Sequence, residues 1–255
     1  MNNKNTYQKY YFHTFGNNIY QGALNRIEKQ AKKFNIFSHL FMYNENDLKN
    51  DTHFWNKHKD FINNNKRGYG YWIWKPYCIL KSLEKIDEND IVVICDSGCE
   101  LNYKAKNRLL EYFKMLNKSN KSLLCFQLNQ IEKNWTKMDL IDYINCYNLL
   151  DTRQIMATIL IIKKNEISKE IIKIWYETCC KYHLIDDSKS ILPNDESFIE
   201  HRHDQSCFSL ICKKYDSNII LNDETYYWPW NIKESYINYP ILSTRNSNEK
   251  SILNI

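Results

Sequence analysis

The hydrophobic pattern alternates between short apolar runs and longer segments in which apolar residues recur every three or four positions. Residues 10–15 and 36–43 fit β-strands, and residues 19–34 between them place Ile27 and Ala31 at helical spacing. A crossover of this length favours two parallel strands. The first part of the chain therefore predicts a β-α-β unit.

A continuous apolar run, Ile-Val-Val-Ile-Cys at residues 91–95, is followed directly by Asp96, Ser97 and Gly98. A run without polar positions predicts a strand that is buried on both faces of a sheet. Asp96 then lies at the carboxyl end of that strand, which is the edge where open α/β sheets bind ligands. The alternative is that Asp96 only begins a turn.

Other segments predict further elements of the same class. Residues 122–128 and 154–162 are apolar enough to form strands, and Asn165 is placed to cap the helix that follows. Pro76 suits the first turn of another helix. Residues 44–51 are polar and predict a turn.

Composition and charge narrow the class of protein. Of the 255 residues, 43% are hydrophobic and 25% are charged, which is ordinary for a soluble globular protein. The net charge of +5 is mild and does not imply nucleic-acid binding. The nine cysteines form no CxxC pair, which favours a reduced, cytoplasmic setting. No run approaches the ~18 apolar residues of a transmembrane helix, so action at a membrane would need peripheral recruitment.

Residues 66–77 combine two glycines, several aromatic residues and three cations. Arg67 and Lys75 are candidates for binding phosphate groups. The alternative is an aromatic cluster that packs in the core, with the lysine side chains reaching past it to solvent.

Three tryptophans are further candidates for ligand contact. Trp135 belongs either to a loop that binds an acceptor or to an ordinary surface loop. Trp228 and Trp230 either form the wall of a sugar site or pack against the core.

The second dense polar group is Glu-His-Arg-His-Asp-Gln-Ser at residues 200–206, just before a predicted helix. Asp204 and Glu200 are candidates for orienting or deprotonating a hydroxyl group. His201 is a candidate metal ligand, and His203 is the other imidazole of the group. The alternative is a helix N-terminus flanked by surface charges.

On these two motifs the chain resembles the GT-A nucleotide-sugar glycosyltransferases, in which a DxD-type motif follows a central strand. Residues 77–102 are similar to the block that ends in that motif, and residues 200–206 are similar to a late acidic motif. The resemblance implies an α/β fold of GT-A type, with a Rossmann-like, mixed and mainly parallel central sheet flanked by helices. It also implies one domain over residues 1–255, with a nucleotide-binding half at about 10–128 and an acceptor-side half at about 129–242.

The implied activity is transfer of a sugar from a nucleoside-diphosphate sugar to a hydroxyl of a glycan, lipid or protein. The residues expected to bind the donor and its diphosphate are Asp96, Ser97, Gly98, Arg67 and Lys75. Those expected to contact the acceptor or the sugar are His203, Gln205 and Trp135. Asp204 and Glu200 are the expected catalytic residues.

The resemblance also implies a divalent metal, Mn²⁺ or Mg²⁺, held by Asp96 and His201. Gly98 departs from the pattern, because that position usually supplies a metal-binding carboxylate. Two alternatives remain open at this point. One is a non-catalytic module that binds nucleotides or carbohydrates on the same scaffold, and the other is a nucleotidyltransferase.

Overall fold

The computed structural model of the protein describes residues 7–226 and 238–253. Most of the apolar runs in the sequence correspond to β-strands whose ends differ from them by one or two residues. They are β1 (Tyr10–Gly16), β2 (Phe37–Asn44), β3 (Ile91–Cys95), β4 (Glu100–Leu101), β5 (Leu123–Ile131), β6 (Arg153–Ile155), β7 (Ile159–Lys163), β8 (Asn218–Asn222) and β9 (Ile241–Leu242).

Seven strands form one mixed sheet in the order β2-β1-β3-β7-β5-β6, with β8 also paired to β5. β1 runs parallel to β2 and to β3, and β5 runs parallel to β8. β7 lies antiparallel between β3 and β5. The short strands β4 and β9 form a separate antiparallel pair. The predicted fold class, a mixed sheet flanked by helices, is confirmed.

Helices cover both faces of this sheet. They are α1 (Gln21–Phe34), α2 (Glu45–Asn50), α3 (Thr52–Asn64), α4 (Gly68–Tyr71), α5 (Trp74–Glu84), α6 (Lys106–Lys118), α7 (Glu132–Trp135), α8 (Met138–Ile144), α9 (Glu166–Cys179) and α10 (His203–Tyr215). Apolar residues of α5, α9 and α10 belong to the core on one face, and those of α1 and α6 belong to the core on the other.

The central position of β3 follows from its sequence. Val92 and Ile94 point into one core, whereas Ile91, Val93 and Cys95 point into the other. All five side chains are buried, as a strand without polar positions requires. The prediction that β3 is buried on both faces is confirmed, and Asp96 lies at its carboxyl end.

Two predicted elements differ from the structure. The polar residues 44–51 form α2 instead of a turn, because Asn44 and Asp47 cap each other's backbone N–H groups at its start. The apolar run 154–162 forms two strands, β6 and β7, and not one. Residues 156–158 separate them, and the Ala157 carbonyl in this break accepts a hydrogen bond from Lys75.

Two local predictions at helix starts are confirmed. Asn165 caps α9 and forms a reciprocal capping box with Ser168, and Pro76 lies in the first turn of α5. In the described ranges, no helix is both long enough and apolar enough to cross a lipid bilayer. The predictions made for Trp228 and Trp230 concern positions outside the described residues.

Candidate functional site

Three charged residues from distant parts of the sequence meet at the carboxyl edge of β3. Asp96 follows the strand directly, Lys75 lies in the first turn of α5, and Asp204 lies in the first turn of α10. The Nζ atom of Lys75 is 3.0 Å from Oδ1 of Asp96 and 3.3 Å from Oδ2 of Asp204. The structure thus brings together three residues that the sequence marked separately.

Burial dominates the electrostatics of this cluster. The side chains of Lys75 and Asp204 are only 4% and 6% exposed to solvent, whereas the side chain of Asp96 is 30% exposed. Burial raises the pKa of Asp204 to about 6 and also raises the pKa of Asp96, although the charge of Lys75 opposes both shifts. Burial alone would lower the pKa of Lys75, but the two carboxylates outweigh it and raise that pKa. Lys75 is therefore charged at neutral pH.

One carboxylate oxygen in the cluster is not satisfied. Oδ2 of Asp204 is buried and has no hydrogen bond among the described residues, because Lys75 lies at ion-pair distance but outside hydrogen-bonding geometry. A buried acceptor without a donor costs free energy unless a ligand supplies the donor. This oxygen is therefore suited to accept a hydrogen bond from a bound hydroxyl group.

The short segment labelled α4 is not a regular helix but an unusual turn that precedes Lys75. Residues 68–72 all have positive φ angles, between +51° and +83°. Gly68 and Gly70 adopt this left-handed conformation readily, whereas the aromatic residues between and after them do so at a cost. The Nε1–H of Trp74 donates to the Gly68 carbonyl at 2.9 Å and holds the turn against the start of α5. The turn sets the direction in which α5 leaves it, and so places Lys75.

Backbone strain in the described residues is concentrated around this cluster. Four of the non-glycine residues with positive φ are Asn or Asp, which tolerate that conformation: Asn35, Asn89, Asn145 and Asp216. The five others are Tyr69, Tyr71, Trp72, His203 and Arg245. The first three form the turn before Lys75, His203 precedes Asp204, and Arg245 lies against Gly98. Strain of this kind is typical of functional sites.

His203 is buried beside the aromatic residues of the turn. Its ring centroid is 5.7 Å from that of Trp72 and 4.8 Å from that of Tyr71. Nδ1 is hydrogen-bonded to the Ile185 carbonyl at 2.9 Å, whereas Nε2 has no hydrogen bond to any described residue and is 3.6 Å from Oδ1 of Asp187. Burial lowers the pKa of His203 to about 4, so the ring is neutral at pH 7. Its Nε2 lone pair is then free to accept a hydrogen bond.

His201 has a different environment from His203. Its Nδ1 accepts a hydrogen bond from the Lys137 N–H at 3.2 Å, and its Nε2 is bonded to the Leu184 carbonyl at 2.9 Å. With both nitrogens engaged, His201 has no position for a metal ion in this conformation, contrary to the expectation from sequence. Within the part of the chain that the structure describes, no three His, Cys, Asp or Glu residues form a metal cluster.

Arg67 and Glu200 pair with residues outside the Lys75 cluster. Arg67 forms an exposed ion pair with Asp187 at 3.3 Å, and Glu200 pairs with Arg202 at 2.9 Å. Asp187 also accepts a hydrogen bond from Tyr71 at 3.0 Å. No local pattern marks Asp187 in the sequence beyond its acidic neighbour Asp186.

Gln205 and Trp135 lie beside the start of α10. Nε2 of Gln205 donates to the buried Gln154 at 2.9 Å. The Arg202 guanidinium lies 4.2 Å from the centroid of the Trp135 ring, and the Trp135 carbonyl accepts a hydrogen bond from Ser206 at 2.7 Å. Gln205 thus belongs to α10, the helix that carries Asp204, and Trp135 packs against the start of that helix.

The turn that contains Ser97 and Gly98 is held by hydrogen bonds from distant segments of the chain. The Ser97 carbonyl accepts a hydrogen bond from the buried Arg26 guanidinium at 3.1 Å. The Gly98 carbonyl accepts two more, from the Thr244 hydroxyl and the Asn246 N–H, both at 2.9 Å. The carboxyl edge of β3 is therefore covered on one side by residues near the end of the chain.

Comparisons with known proteins give a match in structure only. No protein-family model matches the sequence, and no curated protein matches it. A glycosyltransferase involved in the glycosylation of the major capsid of PBCV-1 superimposes with a TM-score of 0.53 at 12% identity, over 92% of this chain and 91% of its own. At this identity the likeness concerns the fold.

Two further solved structures align less closely. Mouse xyloside xylosyltransferase 1 has a TM-score of 0.49 at 8% identity, over 89% of this chain and 91% of its own. The galactosyltransferase LgtC has a TM-score of 0.46 at 12% identity, over 87% of this chain and 76% of its own. The mixed sheet flanked by helices and the match to the capsid glycosyltransferase, with its TM-score of 0.53, agree with the GT-A fold that the sequence resemblance implied.

Proposed function

We propose that the protein transfers a sugar from a nucleoside-diphosphate sugar to a hydroxyl acceptor. The observation that carries the proposal is the sharing of Lys75 by Asp96 and Asp204 at the carboxyl edge of the central strand. This is where open α/β sheets bind nucleotides. The fold similarity to a glycosyltransferase supports the same activity.

The donor lies against the turn of Asp96, Ser97 and Gly98 in this proposal. Lys75 supplies a buried positive charge close to the departing diphosphate, and Arg67 adds charge at the exposed side of the left-handed turn. Preorganised charge near a leaving group lowers the barrier because it needs no reorganisation during reaction. The low dielectric around Lys75 increases that effect.

The acceptor hydroxyl is bound near Asp204. Oδ2 of this residue has no hydrogen-bond donor in the described residues, and its pKa of about 6 suits proton removal at neutral pH. His203, Gln205 and Trp135 lie around the same helix start and contact the sugar or the acceptor. Glu200 is the second candidate base, although its ion pair with Arg202 holds it at the surface.

A divalent ion fits the site through oxygen ligands. Asp96 is a partly exposed carboxylate whose only side-chain partner in the described residues is Lys75, so it is able to hold Mn²⁺ or Mg²⁺ together with diphosphate oxygens. Such an ion would neutralise charge on the leaving group. The bonded nitrogens of His201 do not fit this role.

Nucleotide binding tests the proposal. We would measure thermal shifts with UDP, GDP, CMP and dTDP, each with and without Mn²⁺, for wild type, Asp96→Asn and the control Asp87→Asn. Asp87 lies before β3, at the opposite end of the strand, and its side chain is 73% exposed. A ligand that binds only the folded state raises the melting temperature. We expect one nucleotide to do so in wild type and Asp87→Asn, and not in Asp96→Asn.

The other outcomes separate the alternatives. A shift that survives in Asp96→Asn would place the nucleotide elsewhere and contradict the assigned site. Binding without release of nucleoside diphosphate from any sugar donor would indicate a non-catalytic module. Release of pyrophosphate from a nucleoside triphosphate would indicate a nucleotidyltransferase.

A further inference from the structure

Residues 243–246, here called the clasp, lie directly on the turn that follows β3. Thr244 and Asn246 each donate a hydrogen bond of 2.9 Å to the Gly98 carbonyl. Between them, the Cα atom of Arg245 would be 3.5 Å from a Cβ atom added to Gly98. Arg26 also holds the clasp in place, because its guanidinium donates a hydrogen bond of 2.8 Å to the Asn246 carbonyl. Arg245 is therefore fixed next to the Asp96 turn.

The backbone of Arg245 is strained. Its φ angle is +54°, a conformation that favours glycine and asparagine. Either of those residues would fit this position in the clasp at lower conformational cost. Arg245 lies beside the Asp96 turn, and unlike Tyr69, Tyr71, Trp72 and His203 it has an exposed side chain with a charge. Backbone strain of this kind clusters at functional sites.

The charge of Arg245 lowers the pKa of a neighbouring arginine. Burial lowers the pKa of Arg202 against the opposing effect of Glu200, and the positive charges of Arg245 and Arg67 lower it further. Arg245 itself forms no ion pair with any residue in the ranges 7–226 and 238–253. Like charges repel, and a polyanion bound near these arginines would remove that repulsion.

We propose that Arg245 binds the diphosphate of the donor, and that the clasp holds its guanidinium over the Asp96 turn for that purpose. The proposal rests on the proposed function, since it assigns an additional residue to the same donor site. A guanidinium group makes two parallel hydrogen bonds to phosphate oxygens, which a lysine at this position does not reproduce. Arg245 thereby supplies a donor contact at the turn where Gly98 lacks a carboxylate.

The test uses the backbone strain as an internal control. Arg245→Gly removes the charge and also relieves the positive φ, whereas Asn35→Gly relieves a comparable φ of +49° at the end of α1 without changing charge. Arg153→Gln removes an exposed arginine elsewhere on the surface. Melting temperature and the affinities for UDP, GDP and inorganic pyrophosphate are measured for each variant in the presence of Mn²⁺.

We expect Arg245→Gly to melt at or above the wild-type temperature and to bind the preferred nucleoside diphosphate about 10- to 100-fold more weakly, as expected for a charged hydrogen bond. The affinity of Arg245→Lys for the same nucleotide should lie between those of wild type and Arg245→Gly. Both control variants should bind the nucleotide as tightly as wild type does. Unchanged affinity in Arg245→Gly would overturn the proposal.

Failure of the proposed function gives a different result. If wild type binds pyrophosphate but none of the nucleotides, and Arg245→Gly loses that binding, Arg245 is an anion-binding residue and the donor assignment is wrong. If wild type binds neither pyrophosphate nor any nucleotide, both proposals are overturned.

Discussion

The Nζ atom of Lys75 lies 3.3 Å from Oδ2 of Asp204, and both side chains are almost completely buried. Lys75 belongs to α5, which precedes β3 in the sequence, and Asp204 belongs to α10, which follows it. A buried pair of this kind contributes little net stability, but loss of one partner leaves an uncompensated charge. The pair is better explained by the chemistry of the site than by the stability of the fold.

The raised pKa of Asp204 predicts a specific dependence of stability on pH. An unfolded aspartate titrates near pH ~3.9, whereas Asp204 in the folded protein titrates at about 6. The folded state therefore binds more protons between these values, so this residue's contribution to the free energy of unfolding falls as pH rises from about 4 to about 6. We expect wild type to lose stability relative to Asp204→Asn across this window and to stay level above it.

Urea unfolding at a series of pH values measures this difference directly. A difference that stays flat between pH 4 and pH 6 would mean that folding does not raise the pKa of Asp204, and would remove it as a base for neutral pH. A difference that rises with pH only below about pH 4 would mean that folding lowers this pKa.

A second buried charge pair joins α10 to α7. Nζ of Lys213 lies 2.6 Å from Oε1 of Glu132, whose side chain is fully buried and also bonded to Thr136 and Gln154. Lys213→Met would leave the carboxylate uncompensated, so we expect the free energy of unfolding to fall by about 3 kcal/mol or more. Chemical denaturation of this variant provides the measurement.

The neighbouring Lys214 provides the matched control for that variant. It is exposed, and among the described residues its Nζ donates only to the Ile144 carbonyl. We expect Lys214→Met to cost about 1 kcal/mol or less. The double variant Glu132→Gln with Lys213→Met should recover part of the loss. Equal costs for the two lysines would show that the Glu132 pair is not energetically distinct.

Two glycines near the site should differ in how much stability they lose on substitution by alanine. Gly70 has a φ of +83°, and a Cβ there would lie 2.7 Å from Cγ1 of Ile62. We expect Gly70→Ala to lower the free energy of unfolding by about 1–3 kcal/mol. At Gly98 the nearest atoms are 3.5 Å from an added Cβ, so Gly98→Ala should change stability by less than about 0.5 kcal/mol.

Ligand affinity separates the same two positions. Because the donor approaches the backbone of the Asp96 turn in the proposed site, Gly98→Ala should weaken nucleotide binding while the melting temperature stays at its wild-type value. The affinity of both variants for the nucleotide found in the thermal screen is measured by calorimetric titration. Wild-type affinity in Gly98→Ala would place the diphosphate away from this turn.

Metal dependence gives a fourth prediction. If Asp96 and the diphosphate hold the ion, removal of divalent metal with EDTA should weaken nucleotide binding in wild type. Gly98→Asp should strengthen Mn²⁺ binding, by about tenfold, because it adds a carboxylate where an added Cβ fits. The affinity for Mn²⁺ is measured with and without nucleotide. No effect of EDTA together with unchanged Mn²⁺ affinity in Gly98→Asp would contradict a metal at Asp96.

Periodicity and local capping rules predicted the parts of the fold that depend on nearby residues. The strand β3, the capping of α9 by Asn165 and the position of Pro76 all follow from short-range patterns. The helix α2 was missed because its reciprocal cap compensates for a polar composition. The apolar run that becomes β6 and β7 was read as one strand, because the pairing partners that divide it are distant in sequence.

The candidate site was predictable only in its residue types. Asp96, Lys75 and Asp204 were each marked by local composition, but their shared ion pair depends on packing between α5, β3 and α10. The left-handed turn before Lys75 had a partial signal in Gly68 and Gly70. Nothing local marked Asp187 or Arg245, because their positions depend on long-range contacts.

The most direct test of the proposed activity is release of nucleoside diphosphate from a panel of UDP-, GDP- and dTDP-sugars in the presence of Mn²⁺. The assay compares wild type, Asp96→Asn, Asp204→Asn and the control Asp87→Asn. We expect wild type and the control to consume one class of donor, and both site variants to be slower by at least about 100-fold while remaining folded. No release from any donor, or equal rates in wild type and Asp96→Asn, would contradict glycosyl transfer at this site.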